Sequence, residues 1–162
     1  MKRHESLHAL SQHHHFALIE ALFIKRAREV PPAKRAASLR KVAEKFLRFY
    51  EKTGKVHFRE EEEVLLPAYA RHVRIEEDKD VKRMLAEHAA IRALIGEVAA
   101  RLLNEQPFEE QLESLGKMLH DHVRLEEDVI FPRIEKTLSE SELRETGKHF
   151  TRLHKKGETC EF

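Results

Sequence analysis

Apolar residues recur at intervals of three and four along most of the chain, and this spacing predicts amphipathic helices. The first helix is predicted over residues 6–28, where it ends before a pair of prolines. The second begins near Ala33, continues through Gly54 as one long helix and bends near Pro67. No segment has a convincing strand-like alternation, so the pattern indicates an all-α protein.

Two more long helices follow in the second half of the chain. The third is predicted over residues 81–102, after the charged stretch 76–80, which is predicted to be a loop and a helix start. The fourth is predicted over residues 112–134, after the turn 104–107, with Pro132 near its end. Four amphipathic helices with short links predict an up-down-up-down four-helix bundle.

The end of the chain is predicted to form a short extension. Ser139 and Glu142 have the spacing of a capping box, which predicts a short fifth helix that ends near His154. We therefore divide the chain into a four-helix bundle, residues 1–138, and a C-terminal extension, residues 139–162, whose helix is expected to pack on the bundle.

Composition excludes several classes of protein. The 30 basic and 29 acidic residues give a net charge of +1, so we expect no bulk attraction to nucleic acid or to an anionic membrane. The N-terminal residues are too polar for a signal peptide and no run of about 18 apolar residues exists, so a cytoplasmic location is expected. The single cysteine, Cys160, excludes an internal disulfide framework and a cysteine-based metal site.

Two segments repeat a His-x-x-x-Glu pattern. HFREEEEVLLP, residues 57–67, matches HVRLEEDVIFP, residues 122–132, with Glu at +4 and +5 from the His, Val at +7 and Pro at +10. The preceding helices agree more loosely, because His13 and His88 each begin a series of apolar residues at steps of three. The bundle is therefore predicted to consist of two helical hairpins, each with one His helix and one His-x-x-x-Glu helix.

Three helices have polar side chains at positions that the apolar repeat assigns to the core. The inward positions of the second helix are 39, 43, 46, 50, 53, 57, 61, 64 and 68. Those of the third helix are 81, 84, 88, 91, 95 and 98. Those of the fourth helix are 112, 115, 119, 122, 126 and 129. Five inward residues are thus histidine or glutamate: His57, Glu61, His88, His122 and Glu126.

This combination predicts a metal site. A carboxylate in a core is unfavourable unless it is paired or bound to a metal. Residues at i and i+4 share a helix face, so each His-x-x-x-Glu pair can reach one ion. Imidazole with carboxylate suits iron, zinc or manganese, and two carboxylates can bridge two ions. The other acidic residues and histidines of this region and of the termini are assigned to solvated surface: Glu60, Glu63, Asp128, His4, His72, His149 and His154.

The chain resembles the hemerythrin family, in its HHE cation-binding branch, over nearly all of residues 6–136. HFREEEE resembles the His-Phe-x-x-Glu-Glu helix of the family, SQHHHF its first helix and AEHAAIR its third. The resemblance implies six iron ligands: His13, His57, Glu61, His88, His122 and Glu126. His14 or His15 could replace the first of these, and Glu127 could replace the last.

Two differences from the oxygen-carrying hemerythrins bear on function. Oxygen-carrying hemerythrins have a second His one turn along the third helix, where this chain has Arg92. They also use a carboxylate five residues after the fourth-helix His, whereas Glu126 at +4 matches the HHE branch.

The implied set of four His and two Glu is similar to the iron ligands of the iron-centre repair proteins and of the hemerythrin-like domain of an iron-sensing ubiquitin ligase. The N-terminal Cys-containing segment of the repair proteins is not found in this sequence.

The resemblance implies a non-haem protein with two iron ions per chain, which senses or handles oxygen, nitric oxide or iron. Zinc or manganese could substitute for iron, and a small diatomic molecule is the expected ligand. The alternative is a di-iron oxidase or peroxidase-like enzyme, or an iron-centre repair protein, on the same bundle. The single Glu-x-x-His, from Glu5 to His8, counts against a ferritin-like enzyme, which needs two. A structural bundle with incidental histidines is the third hypothesis.

Overall fold

The computed structural model describes residues 3–158, and the side chains of residues 3–153. Their regular structure is entirely helical, which confirms the prediction of an all-α protein for this part of the chain. After a 3-10 turn at Glu5–Leu7, the five helices are α1 (His8–Glu29), α2 (32–70), α3 (Lys79–Leu103), α4 (109–137) and α5 (Glu140–Glu158). The up-down-up-down order of the first four stays a prediction. Among the described residues, no helix is both long enough and apolar enough to cross a membrane.

Three wide π-helical turns interrupt α2 and α4. They cover Tyr50–Gly54 and Glu61–Leu65 in α2 and Glu126–Ile130 in α4. Each of the last two is followed by an α-helical segment with a proline in its first turn, where the missing N–H of proline is tolerated. Wide turns of this kind are frequent at functional sites. Here two of the three begin at a glutamate of the predicted metal site.

The π turns change which residues face the core. In α2, Leu65 is buried, whereas Val64, which was predicted to be inward, is only partly buried. In α4, Ile130 is 1% exposed, whereas Val129, predicted to be inward, is 37% exposed. A π turn takes up one residue more than an α turn, which accounts for these two shifts by one residue. The shift is not carried along the whole helix, because Ala68, predicted to be inward, is buried. In α3, which has no π turn, the predicted inward residues are all buried: Val81, Met84, His88, Ile91, Ile95 and Val98.

Helix α1 turns a different face to the core from the one that the steps of three suggested. Its buried residues include Leu10, His14, Ala17, Ala21 and Ile24, which alternate steps of four and three. Phe16 and Leu22, three and nine residues after His13, are 44% and 42% exposed. A step of three falls about 60° short of a full turn, so a strict series of such steps winds around the helix instead of following one face.

The buried apolar side chains form two clusters. One contains Ile91 of α3 and the other contains Met84, so His88 lies between them along the helix. The same order holds in α4, where Leu119 belongs to the first cluster and Ile130 to the second. A polar layer therefore lies across the middle of the bundle, between two apolar regions that hold the helices together.

The C-terminal helix α5 completes the second cluster through Leu143 and Phe150. Its start is capped as predicted, because the backbone N–H of Ser139 donates to the Glu142 carboxylate at 2.9 Å. The helix runs to Glu158 and is longer than the sequence suggested. The side chain of His154 and all of Cys160 lie outside the described residues.

Candidate metal centre

Six side chains meet in the polar layer, and none of them is more than 5% exposed. We call this set the buried centre; its members are His14, His57, Glu61, His88, His122 and Glu126. They form two overlapping groups of four, and within each group the possible ligand atoms lie within 4.8 Å of one another. One group contains His14 and His57, the other contains His88 and His122, and both contain the two glutamates.

The Glu61 carboxylate lies between the two histidine pairs. Its Oε1 is 3.4 Å from Nε2 of His57 and 3.8 Å from Nε2 of His14. Its Oε2 is 3.3 Å from Nε2 of His88. Each oxygen therefore faces a different pair, as a carboxylate does when it bridges two ions.

The Glu126 carboxylate is arranged in the same way from the opposite helix. Its Oε2 is 2.8 Å from Nε2 of His14. Its Oε1 is 3.1 Å from Nε2 of His122 and 3.4 Å from Nε2 of His88. Both carboxylates thus offer one oxygen to each histidine pair, and all four histidines direct Nε2 toward the centre.

The distances around Glu61 fit metal ligands better than hydrogen bonds. Both oxygens of Glu61 are fully buried and accept no hydrogen bond from the described residues. Two ligand atoms about 2.1 Å from a tetrahedral ion are about 3.4 Å apart. The nitrogen-to-oxygen distances around Glu61, 3.3 to 3.8 Å, lie near that value. Buried polar atoms without partners are rare in proteins, and a bound ion is one way to satisfy them.

Three of the four histidines are held from behind by a carboxylate. Nδ1 of His14 is 2.6 Å from Glu127, and Nδ1 of His88 is 2.7 Å from Glu62. Nδ1 of His122 is 3.1 Å from Glu87. Such a partner fixes the ring orientation and keeps Nε2 available as a ligand, as is usual for metal-binding histidines.

Two arginines hold these outer carboxylates in turn. Arg92 binds Glu62 through two hydrogen bonds, of 2.8 and 3.0 Å. Arg3 donates to Glu127 at 2.6 Å. Burial would raise the pKa of Glu62, but hydrogen bonds from His88 and Arg92 outweigh it and lower that pKa to about 2. Arg92, at the position of the additional His of oxygen carriers, therefore holds the Glu62 carboxylate that orients the His88 ring.

The charges of the buried centre determine where protons lie. Burial lowers the pKa of His14, but hydrogen bonds to Glu126 and Glu127 outweigh it and raise that pKa to about 10. Burial likewise opposes protonation of His88, yet the carboxylates led by Glu126 raise its pKa to about 11. Burial and the neighbouring His14 lower the pKa of His57 well below its usual value. Metal ions would therefore compete with protons mainly at His14 and His88.

The structure brings together five of the six residues that the resemblance implied, and His14 takes the place assigned to His13. His13 points to one side, with Nδ1 3.7 Å from Oε2 of Glu60. The assignment of Glu60 to solvated surface is wrong, because it is completely buried. The spacing of the buried residues of α1, in which Leu10 precedes His14 by four residues, was the signal for the histidine that faces the centre.

The outer carboxylates were not among the predicted site residues, although the repeat contained a signal for two of them. Glu62 and Glu127 both stand at +5 from a motif histidine. Glu127 was considered as a substitute for Glu126 in the centre. In the structure it lies behind His14 and its side chain is 21% exposed, whereas Glu126 is fully buried.

The family model described as the hemerythrin HHE cation binding domain matches residues 5–134. The match covers α1, α2 and α3 completely, most of α4, and every residue of the buried centre. No curated protein matches the chain. The family match confirms the resemblance inferred from the sequence and agrees with the cluster of histidines and glutamates that can hold metal cations. The chain therefore belongs to the hemerythrin family, as a protein with an HHE cation-binding domain.

Proposed function

We propose that the buried centre binds two metal ions, mainly iron, and that the protein senses or handles oxygen, nitric oxide or iron. One histidine pair would serve each ion: His14 and His57 the first, His88 and His122 the second. Glu61 and Glu126 would bridge the two ions, each through its two oxygens. Mixed imidazole and carboxylate ligands suit iron, and zinc or manganese can replace it.

The observation that carries this proposal is the sharing of both carboxylates by the two histidine groups. A single ion would need only one group of four, and the second histidine pair would then remain as buried imidazoles. Two divalent ions instead use all six side chains, and the two carboxylates balance part of their charge. Non-haem iron in such a shell supplies one-electron and oxygen chemistry.

A small cavity beside the centre supports the proposal that the ligand is a diatomic molecule. Its volume is about 20 Å³, which holds roughly one water-sized molecule. The polar residues of its wall include His14, His57 and His122, and most of the remaining wall is apolar or aromatic, with Phe46 and Phe58 among its members. Oxygen or nitric oxide fits this space, whereas an organic substrate does not. The cavity therefore favours ligand sensing or handling over an enzyme that acts on a larger molecule.

Metal analysis of protein purified without a His tag from iron-replete cells tests the proposal. We expect about two metal ions per chain, mainly iron, and a visible absorption spectrum that changes when nitric oxide or oxygen is added. Glu61→Gln should lose most of the metal, whereas Glu63→Gln, which alters a 49% exposed side chain, should keep it. Less than about 0.2 metal per chain in the wild-type protein would refute the proposal, since both ligand groups would then be empty. Multiple turnovers of oxygen or peroxide would instead support the oxidase alternative.

A further inference from the structure

His13, Glu60 and His57 form a third group of possible ligands beside the buried centre. Their ligand atoms lie within 4.8 Å of one another. The rings of His13 and His57 meet edge to face, with centroids 5.5 Å apart. Two imidazoles and one carboxylate make a donor set that binds Fe²⁺ or Zn²⁺ in other proteins and leaves coordination positions open.

His57 differs from the other three histidines of the buried centre in its second ring nitrogen. Its Nε2 faces the centre, 2.9 Å from Nε2 of His14 and 3.4 Å from Glu61. Its Nδ1 is buried and has no hydrogen-bond partner among the described residues, whereas Nδ1 of each other histidine meets a carboxylate. A buried ring nitrogen without a partner is unfavourable, so a ligand on this side of His57 would stabilise the structure.

The geometry of His13 and Glu60 suits an ion. Nδ1 of His13 and Oε2 of Glu60 are 3.7 Å apart, which is too long for a hydrogen bond. The distance is close to the separation of about 3.4 Å expected for two ligands of one tetrahedral ion. The His13 side chain is 17% exposed and the Glu60 side chain is fully buried, so the group reaches from the surface toward the centre.

We propose that His13, Glu60 and His57 form an auxiliary metal site, which takes a third transition-metal ion such as Zn²⁺ or Fe²⁺. His57 would be shared, with Nε2 on an ion of the buried centre and Nδ1 on the third ion. The third ion takes the place of the proton on Nδ1, and that proton passes to solvent. The sharing of His57 rests on the proposed function, because it requires an ion in the buried centre. Only three residues supply ligands, so the third ion binds more weakly than the other two.

Zinc titration of the iron-loaded full-length protein tests this site. Equilibrium dialysis should find one further zinc equivalent in the wild-type protein, and its binding should alter the visible spectrum of the iron through the shared ring. His13→Ala and Glu60→Gln should each abolish that equivalent and leave the iron content unchanged. The matched controls are His15→Ala, an exposed neighbour, and Glu63→Gln, and both should keep it. Circular dichroism establishes that each variant is folded.

The possible outcomes distinguish failure of the auxiliary site from failure of the proposed function. Iron-loaded wild-type protein that takes up no further zinc would overturn the auxiliary site and leave the buried centre intact. A further equivalent that survives in both His13→Ala and Glu60→Gln would also overturn it, since the zinc would then lie elsewhere. Protein without iron would contradict the proposed function. In that case a zinc equivalent that depends on His13 and Glu60 would still support the auxiliary site, and its absence would refute it.

Discussion

Replacing Glu62 with glutamine should weaken metal binding, although Glu62 does not face the buried centre. Its Oε1 accepts the hydrogen bond from Nδ1 of His88 at 2.7 Å, and Arg92 donates to both of its oxygens. This arrangement orients the His88 ring so that Nε2 faces Glu61 and Glu126. A glutamine side chain has the same shape, but it turns an amide NH₂ toward Arg92 or His88, both of which are donors in this arrangement.

The size of the effect follows from this contact. A hydrogen bond to a charged group contributes about 1.5–3 kcal/mol, and part of this is lost when the carboxylate becomes an amide. Changes to the outer partner of a metal-binding histidine typically lower metal affinity by about 10- to 100-fold, which is about 1.4–2.7 kcal/mol. We expect Glu62→Gln to fall in this range. Glu63→Gln should have no such effect, because Glu63 pairs with Arg59 on the surface.

Competition with a chelator of known affinity measures the change, using the wild-type protein and both variants after complete removal and reloading of the metal. Circular dichroism before loading ensures that only folded protein is compared. Equal metal affinity of Glu62→Gln and wild type would refute the idea that the outer carboxylates strengthen metal binding at the buried centre. An equal loss of metal affinity in Glu63→Gln would refute it as well. Removing any nearby negative charge would then weaken metal binding, whether or not the carboxylate contacts a histidine.

Three further predictions concern the centre and the core. His14→Ala should lose metal and His15→Ala should not, since only His14 is buried in the centre; metal content per chain distinguishes them. Ile130→Ala should lower the free energy of unfolding by about 2–5 kcal/mol, and Val129→Ala by far less; equal losses in urea unfolding would contradict the shift caused by the π turn. The raised pKa values of His14 and His88 stabilise the metal-free protein below about pH 6.5, and this stabilisation is lost as pH rises toward about 10 and about 11. The melting temperature of chelator-treated protein should therefore fall between about pH 7 and pH 10. A constant melting temperature would contradict the raised pKa values of His14 and His88.

The sequence by itself determined the helical class and most of the buried centre. The inward positions of α3, including His88, were predicted from their spacing alone. His57 with Glu61 and His122 with Glu126 were also predicted to be inward, and all four are buried. These predictions succeed because residues at i and i+4 share a face in any α-helix, so the geometry within one helix is local.

The tertiary structure decided what depends on how each helix is rotated against its neighbours. Three consecutive histidines in α1 offer three faces, and packing against the other helices selects His14 for the centre and leaves His13 beside Glu60. The wide turn that begins at Glu126 shifts the core positions beyond it, which a regular period of 3.6 cannot anticipate. The outer contact of Glu127 with His14 joins residues 113 positions apart. Such contacts have no local signature, because they form only when separate helices pack together.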